Sequence, residues 1–200
     1  MIAGGGPAGI AAALCGARLG MKTFMVDPSP ELGGVVTAGL HSALCGLYRD
    51  ASPRCAEDTL NDGVQRELAG RLTRRDPYTS RPERCGRVAV LPFHQKDFME
   101  IVGELLAEET LLHVMCGTAV TDVGVKGRQV KTVSLSNGTS VACGYVVDCT
   151  GKAAVAAKAG VPLQEDEGPG TPLAGYSVKL AGVNASDEML AIRVPLMLRQ

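Results

Sequence analysis

MIAGGGPAGIAAALCGARLGMKTFMVD, residues 1–27, is the stretch on which the fold turns. Three apolar residues open it, then Gly4, Gly5 and Gly6, then a run rich in Ala and Leu from Pro7 onward. Proline suits the first turn of a helix, where its missing N–H has no bond to lose. Gly20 suits the position just past a helix end. Residues 22–26 then read as a second buried strand ending at Asp27. The spacing predicts a strand–helix–strand unit. Inside it Gly4, Gly6 and Gly9 match G-x-G-x-x-G. Gly4 permits the tight turn, Gly6 lets a diphosphate approach the backbone, and Gly9 lets the helix pack on the strand. A helix starting at Pro7 offers free N–H groups and a positive dipole end to phosphates. Asp27, at the end of the next strand, is placed to accept hydrogen bonds from a ribose diol and to repel a 2′-phosphate. These features imply an α/β, Rossmann-like unit that binds a dinucleotide.

Residues 28–46 read as loop, with Pro28, Pro30, Gly33, Gly34, Gly39 and Gly46. Residues 47–90 are polar and mixed in charge, with a helix expected around 58–74. The clearest amphipathic helix is 97–109, where Phe98, Ile101, Val102, Leu105 and Leu106 share one face. A strand is expected at 111–116. Alternating segments follow at 120–125, 130–135 and 141–147, with turns at Lys126-Gly127-Arg128 and Asn137-Gly138. The last segment runs into Val146-Val147-Asp148-Cys149-Thr150-Gly151, a strand closing in a glycine turn, and 152–160 is an Ala-rich helix. Beyond Val161 the chain is turn-rich, weakly strand-like at 176–180, and has no clear terminator over 188–200.

A net charge of −1 gives no electrostatic case for nucleic acid or an anionic membrane as the main partner. The seven cysteines are odd in number and none has C-x-x-C spacing, which points to free thiols and a reducing, cytoplasmic setting. Several sit in apolar runs, where a free Cys acts as a small hydrophobe. The uncharged first residues lack the basic start of a signal peptide and contain Gly4-Gly5-Gly6-Pro7, a poor apolar core. No apolar run is long enough to span a bilayer.

Three features separate the chain from a simple NAD dehydrogenase. A second glycine pair follows Asp27, in Glu31-Leu32-Gly33-Gly34. The crossover to the last strand is a meander rather than a helix. Cys149-Thr150-Gly151 closes a strand whose end should lie beside the first glycine loop, at the ligand-binding edge of the sheet.

With GGGPAGIAAA at 4–13, LGG and T-x-G within 32–40, the helix and strand within 98–120, and the Thr-Gly turn followed by Ala159-Gly160-Val161-Pro162, the sequence resembles the FAD-dependent oxidoreductases of the two-dinucleotide-fold type. The resemblance spans about 160 of the 200 residues. It implies a three-layer FAD-binding domain from 1–46 and 95–160, a helical or irregular insert at 47–94, and the start of a substrate domain at 161–200. It also implies pyrophosphate contacts from Gly6, Pro7, Ala8 and Gly9, with Asp27 on the adenosine ribose. Gly33 and Gly34 fall near the phosphates, the Val120 backbone against adenine, and Thr150 and Gly151 beside the pyrophosphate.

The chain departs from the family twice. Lys152-Ala153-Ala154 stands where an acidic residue usually follows the Thr-Gly turn, and nothing after Val161 matches the Gly-Asp segment that completes the flavin site. A fragment, one subunit of a split protein, or a decayed paralogue is therefore expected, with a second polypeptide as one way to complete the site. The expected function is FAD-dependent redox chemistry on a small molecule. The alternatives are a non-catalytic or partner-dependent flavoprotein subunit and an NAD-dependent dehydrogenase.

In flavoenzymes protein side chains chiefly orient substrate and move protons. His41 and Cys45 follow the second glycine pair and are the catalytic candidates, as proton acceptor and redox partner. The bland alternative is a polar helix-start histidine and a buried, small, inert cysteine. His94 reads as an exposed loop residue and His113, in a strand, as a core or adenine-side residue. No metal-ligand spacing occurs. Arg71, Arg74, Arg75, Arg81, Arg84 and Arg87 read as a solvated basic face, with an acidic substrate or partner as the sharper alternative.

Overall fold

The computed structural model describes residues 1–164 and, beyond them, only Ser177, Gly182, Met189 and Val194. The strand expected at 176–180, the tail at 188–200 and nearly all of the 161–200 unit lie outside the described residues.

Strand β1 (Ile2–Ala3) leads through the glycines into helix α1 (Pro7–Arg18), followed by β2 (Thr23–Val26). The end of α1 is set by Gly20 at φ +78°: its N–H reaches the Ala17 carbonyl and that of Met21 the Gly16 carbonyl, a double closure that needs a left-handed residue. Next come β3 (Ala43–Cys45), α2 (Val64–Arg75), β4 (Glu83–Cys85), β5 (Val88–Pro92) and α3 (Gln95–Ala107). After these come β6 (Leu112–Met115), the meander β7 (Val120–Lys126), β8 (Gln129–Leu135) and β9 (Ser140–Ala142), then β10 (Val147–Asp148) and α4 (Ala154–Lys158).

Four strands form a parallel sheet in the order β10-β1-β2-β6, with Ile2 opposite both Met25 and Val147. Its strands alternate between two buried faces. Ile2, Met25 and Leu112 face α1, against Ala13 and Ala17, while Ala3 and Val26 face the meander, against Val123, Val133 and Leu135. Apolar residues on both faces are what a covered parallel strand requires. Helices, sheet and meander are the three layers anticipated from sequence.

The chain between β2 and α3 holds more strand than expected. The 28–46 stretch, read as loop, contains β3, and β3-β5-β4 is an antiparallel sheet in which Leu44 pairs with Leu91. The segment 47–94 packs directly on α1 and α3: Ala69 and Leu72 of α2 and Ala89 and Leu91 of β5 share one core with Ile10, Leu14, Phe98 and Ile101. Phe93 and Phe98 stack in this core with ring centroids 4.9 Å apart.

The basic residues of α2 pair with carboxylates of the same fold at its surface: Arg71 is half-buried, while Arg74 and Arg75, like Arg81, Arg84 and Arg87, are exposed, as a solvated basic face requires. Arg71 bonds both Glu108 oxygens and Glu67 at 2.7 Å, Arg75 reaches Glu100 and Glu104 on α3, and Arg18 ties α1 to Glu67 and Glu109. The hydrogen bonds that Arg71 donates to Glu108 are the main cause holding its guanidinium above its ordinary pKa. The cysteines also differ from expectation. All seven are free, but Cys15, Cys45, Cys55 and Cys85 are exposed and the other three half-buried. His113 is exposed, not core, because β6 is an edge strand.

Candidate functional site

Residues 4–9 cross from β1 to α1 at the C-terminal edge of the parallel sheet. Gly4 adopts φ +106° with its Cα against the carbonyl of Cys149; a Cβ there would stand 2.3 Å from that oxygen. A Cβ on Gly9 would stand 1.8 Å from the Gly4 carbonyl oxygen. These two glycines are required by the protein itself. Gly6 is different: a Cβ there would meet only the Gly34 Cα, at 3.9 Å, so its lack of a side chain leaves open space above the loop.

Gly6 is the N-cap of α1, with no side-chain cap, Pro7 beginning the helix, and no acidic residue in the first turn. Pro7 and Ala8 are exposed. The first-turn amides and the positive end of the helix dipole therefore face solvent. The start of α4 is the opposite case. The Asp148 carboxylate accepts the N–H groups of Val155 and Ala156 at 2.8 and 2.9 Å, with the Thr150 N–H and hydroxyl, and the Thr150 Oγ1 accepts the Ala154 N–H at 3.0 Å. Burial pushes the Asp148 carboxyl up, but hydrogen bonds from Thr150, Ala156 and Val155 outweigh it and hold its pKa below the ordinary value.

Asp27 turns towards the loop. Its carboxylate accepts the Gly5 N–H at 2.5 Å through Oδ2 and the Ser29 N–H at 2.7 Å through Oδ1. Two bonds fix its orientation, and lone pairs remain for a further donor. The second glycine pair folds onto the first loop: the Gly33 N–H donates to the Gly5 carbonyl at 2.9 Å, and a Cβ on Gly34 would stand 3.0 Å from the Gly6 Cα. The amide of Gln95 secures the turn that follows by donating to the Val36 and Thr37 carbonyls. Sequence reading missed Gln95, because its only signal is that it opens the amphipathic helix.

On the other side, β10 lies parallel to β1, the Cys149 N–H bonds the Ala3 carbonyl at 2.7 Å, and Thr150 and Gly151 follow. The structure thus brings Gly4, Gly6, Pro7, Ala8, Gly9, Asp27, Gly33, Gly34, Thr150 and Gly151 to one edge. Val120 begins β7, paired with Leu135, its side chain packed among meander and sheet residues. His41 is exposed and follows Leu40, a non-glycine residue at φ +53°. Cys45 sits exposed on β3, an edge strand, rather than buried. His94 precedes α3, its Nε2 3.2 Å from the Thr79 hydroxyl and 3.5 Å from Asp76. Among the described residues no cluster has the makings of a metal site, and no helix is long and apolar enough to cross a membrane.

A glycine cradle, an uncapped helix start and an oriented carboxylate on the neighbouring strand define a dinucleotide-binding α/β protein. The model of the family described as "FAD dependent oxidoreductase" matches residues 1–190, and the chain belongs to that family, whose cofactor is FAD. No curated protein matches the chain. Among solved structures it is similar to THI4 of Thermovibrio ammonificans (18% identity, TM-score 0.54, 78% of this chain and 59% of that one). It is also similar to a multiply substituted PqsL of P. aeruginosa (18%, 0.54, 84% and 47%) and to the L-proline dehydrogenase of P. horikoshii (12%, 0.51, 82% and 56%). These likenesses are of fold, and the chain spans about half the length of each. The cradle fits FAD: the space over Gly6 and the open first turn of α1 are what a diphosphate needs.

Proposed function

We propose that the chain is the dinucleotide-holding part of an oxidoreductase that uses FAD to oxidise or reduce a small molecule. The observation that carries this reading is the contrast between Gly6, open above the loop, and Gly4 and Gly9, which the protein's own packing demands. In this reading the diphosphate lies on the amides from Gly6 to Gly9, over Pro7 and Ala8, with Gly33 and Gly34 behind it and Thr150 and Gly151 beside it. Asp27 accepts hydrogen bonds from the adenosine ribose, and the Val120 backbone borders the adenine. Bound flavin supplies hydride and electron transfer. His41 and Cys45 are the proposed substrate-side groups, His41 as proton acceptor and Cys45 as redox partner. Free thiols support a reducing, cytoplasmic setting.

Purified chain is expected to be yellow and to release FAD on denaturation, at one FAD per chain. Colourless protein that binds NADH but not FAD would overturn the assignment. A second reading is a flavoprotein subunit that needs another polypeptide. Colour that develops only with a second polypeptide would select it.

A further inference from the structure

Four segments meet at the glycine edge: 4–9, 27–34, 116–119 and 148–153. The Gly5–Asp27, Gly33–Gly5, Thr118–Asp27 and Cys149–Ala3 hydrogen bonds join them. Between them they carry three carboxylates, Asp27, Glu31 and Asp148, and a single cation, Lys152. A dinucleotide diphosphate brings two negative charges into this acidic setting, and helix amides contribute only partial positive charge. The turn holding Lys152 is tightly defined. Gly151 at φ +74° precedes it and Ala153, a non-glycine residue at φ +51°, follows. Such a conformation persists only where its surroundings impose it. Here the surroundings are Asp148 and Thr150, which engage the amides of residues 154–156. The α4 start is thereby closed to an anion, while Lys152 is left exposed. Among the described residues no ion pair involves Lys152, a state it shares with other exposed cations such as Lys22 and Lys158; what distinguishes it is its place at the glycine edge.

We propose that Lys152 supplies the full positive charge that binds the diphosphate of the dinucleotide, a role that rests on the flavin reading above. A lysine serves a phosphate as a mobile point charge. It follows the Thr-Gly turn at the end of β10, which flanks β1 on one side, while β2, whose following loop carries Gly33 and Gly34, flanks it on the other.

The test compares wild-type chain with Lys152→Gln and Lys152→Arg, titrating FAD by fluorescence quenching at low and high salt, with ADP and adenosine as competing probes. Lys152→Gln is expected to weaken FAD and ADP about tenfold, the size of one charge-assisted contact. It should flatten the salt dependence of both and leave adenosine unchanged, and Lys152→Arg should restore the wild-type values. The melting temperature reports that each variant is folded. Wild-type chain that binds neither FAD nor ADP overturns the flavin reading and this role with it. Wild-type chain that binds both, while Lys152→Gln binds them as tightly and with the same salt dependence, overturns the role of Lys152 alone.

Discussion

Glycines of the first loop divide by what their missing side chains would strike. Gly9→Ala drives a methyl into the Gly4 carbonyl and Gly4→Ala drives one into that of Cys149, and backbone cannot yield cheaply. Either change is expected to cost about 3 kcal/mol or more, read by urea unfolding. Gly6→Ala meets nothing closer than 3.9 Å, so its melting temperature should match wild type while FAD affinity falls at least tenfold. Equal FAD affinity in that variant would remove the ligand from this loop. Asp148 makes a different prediction. Its pKa in the folded chain lies below the ordinary value, so the stability it contributes is complete above about pH 4 and is lost as pH falls through the depressed pKa. Asp148→Asn should cost about 1 kcal/mol near neutrality, a difference that shrinks in urea melts taken towards pH 2. That the glycines stand between a strand and a helix, and that Asp27 ends the next strand, was legible because apolar spacing marks those elements locally. The exposure of His113 and Cys45 was not, since edge position in a sheet is decided by partners distant along the chain.

Among the elements, α1 and α3 were legible to within two residues because apolar spacing and punctuating residues mark a helix locally. The β3-β5-β4 sheet was not. Its strands are three to five residues long, and Leu44 finds its partner in Leu91, far along the chain, with no short turn to announce the pairing. The solvated basic face was legible, but its ion pairs were not, because Arg71 and Arg75 find Glu100 and Glu104 on α3 and Glu108 just past its end, all distant in sequence. Arg71→Met is expected to lower stability by about 1 kcal/mol at low salt and by less at 1 M, measured by thermal unfolding. Phe98→Ala, at a residue only 2% exposed beneath α2 and β5, should cost about 3–5 kcal/mol and remain insensitive to salt.

At the scale of the molecule the three layers followed from a sheet apolar on both faces. The bound dinucleotide is expected to stabilise the whole: the melting temperature should rise with FAD concentration, and Asp27→Ala should reduce that rise. The contact between Gly4 and the Cys149 carbonyl carries a consequence for how the protein is made. The cradle's first turn rests on a strand encoded some 145 residues later, so a growing chain displays its glycines long before it can shape them. Flavin capture then waits on emergence of β10 from the ribosome. A chain ended at residue 140, stalled or purified, should carry every glycine of the motif and stay colourless.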